Sequence, residues 1–319
     1  MNTLKGKKIL VTGGTGFVGS HLVKALIEQG AHVVTTFLQL DPLSYFMTEE
    51  LDKKTVMERI DLVDFDRVFD LVTKHEVEYI FHLAAQPLVD VAYYNPRRTL
   101  ESNINGTINI LESARLYPKV KGILVASSDK AYGKHGEIKY KETDALKGDH
   151  PYEVSKSAAD LICTSYAKTY DLPVVITRFG NIYGEGDLNF SRIIPGIMRS
   201  LITKETLELR SDGTFVRDYL YVKDVVDGYI RLAENIENAK GKAYNFGSDD
   251  TLSVLELIDT IEKSLKTKIS YDILNTAKNE IPYQSLDYSK IRKEFNWKPE
   301  YSVKNTAQSI KKWYVGVFG

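Results

Sequence analysis

Residues 11–30 read "VTGGTGFVGSHLVKALIEQG", a glycine-rich turn between an apolar run and an amphipathic one. The run before it, Lys8–Thr12, has the length and composition of a buried strand, and helical spacing of apolar residues follows from Phe17 onward. Gly13 permits a tight turn out of the strand. Gly16 lets a pyrophosphate approach the backbone, and Gly19 lets the helix pack closely on the sheet. The unpaired N–H groups and the dipole at the helix start then favour phosphate. Three glycines alone also occur in a purely structural turn. Strand, spacing and helix together predict a dinucleotide site.

The same rhythm continues outward from this stretch. Strands are expected near 8–12, 31–36, 56–61, 79–83, 122–127 and 173–177, with helices near 17–29, 64–74, 96–116 and 152–169. Alternation of this kind predicts an α/β fold, a Rossmann-type doubly wound parallel sheet. After Arg178 the pattern changes to loops rich in Gly, Asn and Asp at 180–191, 211–218 and 247–251. Strands are expected near 206–210, 218–222 and 243–246, and helices near 192–202, 223–237, 253–266, 287–295 and 302–315. We expect a dinucleotide-binding domain over 1–180, to which segments near 218–248 return. A smaller, discontinuous mixed α/β substrate-binding cap occupies mainly 181–319. The cleft between cap and sheet is the expected ligand site.

Composition narrows the classes. The 42 Lys and Arg nearly balance 43 Asp and Glu, so no global charge draws the chain to nucleic acid or an anionic membrane. The single cysteine, Cys163, excludes an internal disulfide, fits a reducing compartment and reads as core. Few residues precede the first strand, and no apolar run approaches the roughly 20 residues of a membrane-spanning helix. A soluble, cytoplasmic protein is expected. The six histidines show no metal-ligand spacing, so no metal site is predicted.

One part of the dinucleotide pattern is missing. A carboxylate usually ends the second strand and holds the adenosine ribose. Here "VVTTFLQLDP" puts Phe37 at that place, with Asp41 further on and no Arg or Lys nearby for a 2′-phosphate. The expected cofactor is therefore NAD. Asp61, in "RIDLVD", is either an adenine contact or a loop acid.

A proton-transfer set follows. In "PYEVSKSAADLI", Tyr152 and Lys156 stand i, i+4, on one helix face. A tyrosine hydroxyl lies about 4 kcal/mol from useful basicity at neutral pH. An ammonium at about 4 Å supplies roughly that much at an effective dielectric near 20. Ser128, at a strand end in "SSDKAYG", can bind the same substrate hydroxyl. Together the three predict hydride transfer at a secondary alcohol.

These stretches resemble the extended short-chain dehydrogenase/reductases that act on nucleotide sugars. The resemblance spans essentially the whole chain through "TGGTGFVG", "HLAAQ", "SSDKAYG", "PYEVSK", "RFGNIYG", "RDYLYVKDV" and "YNFGS". Within the family it is closest to the CDP-glucose 4,6-dehydratases, through "FLQLDPLSYF", "HLAAQPLVDVAYYNPRRTLESNINGT", "DALKGDHPYEVSK" and "GDLNFSRIIP". That subgroup also lacks the ribose acid. "RDYLYVKDV" follows the wider family instead.

The resemblance implies NAD held by Gly13, Thr15, Gly16, Phe17, Val18, Gly19, Asp61, Leu62, Leu83, Ala84, Ala85, Tyr152 and Lys156. It implies a nucleotide-diphosphate sugar against Gln86, Asn181, Arg192 and Arg217, and a homodimer formed through the helices near 96–116 and 152–169. The two arginines match phosphate oxygens with paired donors, though either also reads as a surface salt bridge. His82 is structural or stands beside the cofactor.

The acid–amine pair Asp129–Lys130 is what a 4,6-dehydratase needs beyond Ser128, Tyr152 and Lys156. Oxidation at carbon 4 acidifies the proton on carbon 5; a base removes it, and an acid protonates the departing carbon 6 hydroxyl. Lys130 is the base, or holds a water or orients Asp129. A 4-epimerase on the same scaffold has no need of the pair, and neither has a regulatory protein that senses sugar nucleotides.

Overall fold

A computed structural model of the protein describes residues 3–276 and 281–319. Strands β1 (Lys8–Thr12), β2 (His32–Phe37), β3 (Val56–Arg59), β4 (Tyr79–His82), β5 (Gly122–Ala126) and β6 (Val174–Phe179) follow the predicted order within two or three residues. The second half contributes β7 (Asn181–Tyr183), β8 (Leu207–Leu209), β9 (Val216–Tyr221), β10 (Ala243–Phe246), β11 (Thr251–Ser253), β12 (Tyr271–Ile273) and β13 (Tyr283–Gln284). Seven of these form one parallel sheet in the order β10-β6-β5-β4-β1-β2-β3. Chain order reverses between β1 and β4, and a doubly wound sheet opens its ligand crevice at such a switch point, beyond the strands' carboxyl ends.

The strands are apolar on both faces, as burial between two helical layers requires. Ile9, Val11, Phe81 and Leu124 face one layer, and Leu10, Ile80, Ile123 and Val125 face the other. Helix α1 (Phe17–Glu28) packs on the first face through Leu22, Val23 and Leu26. On the second lie α2 (Phe65–Lys74), α3 (Gly106–Leu116) and α4 (Pro151–Tyr170). Cys163 of α4 is fully buried in that second layer, and burial pushes its thiol up, away from a reactive thiolate. A third core joins α5 (Ile193–Thr203), α6 (Val222–Glu234), α7 (Val254–Leu265) and α8 (Val303–Phe318) to Tyr183, Leu207 and Tyr219.

Three expectations need correction. The predicted loop over 180–191 contains β7, which pairs in parallel with β9 along Tyr219–Tyr221. Only three residues long and flanked by Gly180 and Gly184, it is made a strand by its partner rather than by its own pattern. The loop expected through 218 ends earlier, because β9 starts at Val216 to pair with β11 and β13. The helix expected over 96–116 is interrupted by a π turn at Glu101–Asn105 between Pro96–Leu100 and α3.

Candidate active site

The glycine turn is built by close backbone approaches. Gly13 has φ +69°, and a Cβ there would lie 2.9 Å from the Ala84 backbone, so the loops after β1 and β4 abut at the switch point. A Cβ on Gly19 would strike the Gly13 carbonyl and the Gly14 Cα. The third glycine therefore closes α1 onto its own turn rather than onto the sheet, as the spacing alone suggests. Gly14, which the three-glycine pattern passes over, makes the sheet contact: its Cβ would collide with the Thr35 hydroxyl of β2. Gly16 is the exposed N-cap of α1, with only the Gly13 carbonyl, at 3.3 Å, near a Cβ. An open backbone edge at a helix start suits a pyrophosphate. Thr15, Phe17 and Val18 flank it, partly exposed.

The end of β2, where the sequence pattern puts the adenosine, is apolar. Phe37 closes β2, and Leu38, Leu40 and Leu43 stand exposed after it. Asp41 is used locally, accepting from the Leu43 N–H at 2.9 Å. Asp61 likewise accepts from Val63 N–H at 3.1 Å, while Asn109 donates to the Leu62 carbonyl at 2.8 Å and fixes that loop. On β4, His82 is buried between Thr12 (2.8 Å) and Thr107 (3.1 Å), and burial pushes its imidazole down to about 3. Neutral His82 and Thr12 thereby anchor the Leu83–Ala84–Ala85 loop: Thr12 accepts from Leu83 N–H through its carbonyl and from Ala84 N–H through its hydroxyl.

The residues expected to react gather where β5 runs into a 3₁₀ turn, Asp129–Tyr132, packed against α4. Pro151 at the first position and the His150 side chain at the cap begin α4, so Tyr152 enters in its first turn. Ser128 Oγ donates to Asp129 Oδ1 at 3.0 Å and accepts from the Lys130 N–H at 3.2 Å. The Tyr152 hydroxyl lies near enough for Ser128 to favour its ionised form slightly.

Electrostatics separate the members. Asp129 is 5 % exposed, and burial raises its carboxyl above the usual range against the pull of Lys130, Ser128 and Arg217. This carboxyl therefore holds a proton more readily than an exposed one. Burial pushes Tyr152 up to about 12, and Asp129 adds to the rise; Arg192 and the Ser128 hydroxyl oppose it. The opposing cation is thus Arg192, not the Lys156 that the i, i+4 spacing predicts. Lys156 donates instead to the Ala126 carbonyl at 2.8 Å, and burial lowers its ammonium to about 8.

The four residues expected at the substrate fall into two groups. Arg192 pairs with buried Asp187 at 3.1 Å and stays 42 % exposed, open to a ligand. Asn181 lies on β7, partly exposed. Arg217 is buried, donating to the Val216 and Pro282 carbonyls while its charge acts on Asp129. Gln86 turns on itself, its side chain bonding the Leu88 N–H and carbonyl. Its backbone is gripped on both sides by Asn103, which accepts from Gln86 N–H and donates to the Gln86 carbonyl and Ser155.

Asn103 was not legible from the sequence. It sits in the π turn, and such turns recur at functional sites because they re-aim one side chain. Another unforeseen support is the buried pair Arg178–Asp160, bidentate at 2.8 Å, from which Arg178 reaches the Tyr132 hydroxyl at 2.6 Å. It fixes the far end of the 3₁₀ turn that carries Asp129 and Lys130. Among the described residues no group of His, Cys, Asp or Glu is arranged to hold a metal ion, and no helix is long and apolar enough to cross a membrane.

The sequence model for GDP-mannose 4,6 dehydratase matches residues 10–310. The chain belongs to that family. Members similar to it include the CDP-glucose 4,6-dehydratase of Salmonella typhimurium, 30 % identical over 98 % of this chain and 92 % of that one. Among solved structures, the dTDP-glucose 4,6-dehydratase DesIV of Streptomyces venezuelae, with NAD bound, superposes with a TM-score of 0.88 at 27 % identity, covering 97 % of each chain. A UDP-glucose 4-epimerase of Thermotoga maritima superposes at 0.86, also with 27 % identity, over 98 % of this chain and 99 % of that one. The family fold is therefore shared by dehydratases and epimerases, and the choice between them falls to side chains.

Proposed function

We propose that the chain is an NAD-dependent nucleotide-sugar 4,6-dehydratase, which converts NDP-glucose, CDP-glucose by preference, to NDP-4-keto-6-deoxyglucose and water. One observation carries the reading: a buried acid, Asp129, and an amine, Lys130, follow Ser128 at the strand end that packs on the helix bearing Tyr152. An epimerase has no use for that pair. NAD fits the exposed backbone at Gly16, the Gly13–Ala84 contact and the apolar adenosine end. When bound, it takes up the carbon 4 hydrogen as hydride and returns it at carbon 6.

In this reading Tyr152 takes the proton of the carbon 4 hydroxyl, which Ser128 orients. Lys156, tied to the Ala126 carbonyl, supplies positive charge beside the nicotinamide. Lys130 removes the carbon 5 proton and gives one back to carbon 5 as hydride reaches carbon 6. Asp129, held toward its protonated form by burial, gives its proton to the departing carbon 6 hydroxyl. Arg192, exposed at the start of α5, binds the diphosphate with Asn181, while Arg217 steadies Asp129. Thr15, Phe17, Val18, Leu62, Leu83 and Ala85 line the cofactor side.

The same reading divides the chain into a dinucleotide-binding domain, 1–180 with return segments near 218–248, and a cap drawn mainly from 181–319. Support comes from β10 joining the seven-stranded sheet while β7, β9, β11 and β13 pair apart from it. We further infer a cytoplasmic homodimer joined through α3 and α4, whose outer faces expose Leu116, Leu161 and Tyr170. Incubation with a panel of nucleotide sugars, read by mass spectrometry for loss of one water, tests the reaction. Unchanged mass with inverted carbon 4 would establish an epimerase instead.

A further inference from the structure

Gln284 lies on β13, paired with Arg217 of β9, and is 1 % exposed. Its amide oxygen accepts from Lys130 Nζ at 3.1 Å. Its Nε2 is buried without a hydrogen-bond partner among the described residues. A buried amide with unpaired donors costs stability, and an apolar side chain of similar size would avoid that cost. Packing therefore does not account for a glutamine here.

The chemistry asked of Lys130 does. A proton acceptor has to spend part of its time neutral. A carboxylate at this distance would hold the lysine as an ammonium, whereas an amide gives the same geometry without net charge. We infer that Gln284 is a positioning residue for Lys130, fixing the amine beside Asp129 through an acceptor that carries no charge. The inference rests on the dehydratase reading of Lys130.

Other charged groups face this amine. Asp129 adjoins it, the two charges attracting, and Arg217 lies on the strand paired with Gln284. His150, at the cap of α4, feels the Lys130 charge, and Glu153 follows in the first turn of that helix. Gln284 is a contact of Lys130, among the described residues, whose charge can be changed without touching the acid.

The test compares full-length wild type, Gln284→Glu and Gln284→Leu by competitive acetylation of Lys130 with acetic anhydride across pH, read by peptide mass spectrometry. Gln284→Glu is expected to move the labelling midpoint of Lys130 up by at least about one pH unit. With CDP-glucose, Gln284→Leu is expected to slow exchange of the carbon 5 hydrogen with deuterium by about 10- to 100-fold. Formation of the 4-keto hexose should change by less than about threefold. Gln284→Glu, which keeps the side chain's shape, should recover exchange as pH rises past its new midpoint, and Gln284→Leu should not. A Gln284→Glu midpoint equal to wild type, or equal loss of oxidation and exchange in Gln284→Leu, overturns the inference. Should wild type release no water from any nucleotide sugar, the dehydratase reading fails on that result, and the labelling still decides the role of Gln284.

Discussion

The turn at Gly13–Gly19 and the cluster around Ser128 occupy the same edge of one sheet, yet they are made of different materials. The turn is backbone meeting backbone: Gly13 against Ala84, Gly19 against the Gly13 carbonyl. The cluster is a set of buried polar side chains whose protonation depends on one another, with Asp129 raising Tyr152 and Arg217 lowering Asp129. Steric fit governs the first region and proton affinity the second. Damage to the turn should therefore appear in binding and stability, and damage to the cluster in chemistry at nearly intact binding.

The largest effect expected is at Tyr152. Tyr152→Phe removes the hydroxyl and little volume, so turnover should fall by at least about 1,000-fold, with NAD affinity by calorimetry within a few-fold of wild type. Near-normal turnover would move the base elsewhere.

Lys130→Met leaves Ser128, Tyr152 and Lys156 unchanged, and it divides the cluster further. The 4-keto hexose should still form on the enzyme, while water loss and carbon 5 exchange drop by about 100- to 10,000-fold. In Asp129→Asn the exchange should survive and water loss slow by about 10- to 100-fold. Rapid quench with mass spectrometry reads both, and wild-type exchange in Lys130→Met would exclude that lysine as the base.

The turn gives a smaller, differently shaped response. Gly19→Ala forces a methyl against backbone that cannot yield, and should lower the melting temperature without cofactor, by about 1–3 kcal/mol of stability. Gly16→Ala meets only the Gly13 carbonyl, at a tight 3.3 Å, so its melting temperature without NAD should fall less than that of Gly19→Ala while the rise on adding NAD disappears. Equal behaviour of the two variants would remove the distinction between the closing glycine and the binding one.

An effect of similar size, tied to neither region's chemistry, concerns pH and stability. His82 and His21 are buried, with imidazoles depressed from 6.5 to about 3 and about 4. Depressed groups bind protons more readily when the chain unfolds. Their contribution is therefore complete above about pH 6.5 and is lost as pH falls toward 4 and 3. Urea unfolding at pH 5 should show a loss on the order of 2 kcal/mol for each histidine relative to pH 7.

The contrast also explains what the sequence revealed. The turn is contiguous and its constraint is glycine, so it could be read directly; only Gly14 escaped, because its collision is with Thr35 on the next strand. Ser128, Asp129, Lys130, Tyr152 and Lys156 were visible because they lie in two short motifs. Their mutual electrostatics were not: Lys156 turns to the Ala126 carbonyl, and Arg192 arrives from a helix 40 positions later than Tyr152. Asn103 hides in a run of ordinary helical spacing, since a π turn shifts register without changing composition. Gln284 lies on a two-residue strand, too short for any periodicity.

The contact between Lys130 and Gln284 spans 154 positions, and the neighbouring bridge from Tyr140 to Leu286 spans nearly as many. Contacts of such separation close late, after the loop entropy between them has been overcome. During synthesis the glycine turn and the first sheet strands emerge long before Gln284 does. A nascent chain can thus assemble its nucleotide-binding half while the amine at Lys130 has no fixed seat. If Lys130 is the base, competence for elimination waits on Gln284, and a chain terminated before it lacks that seat.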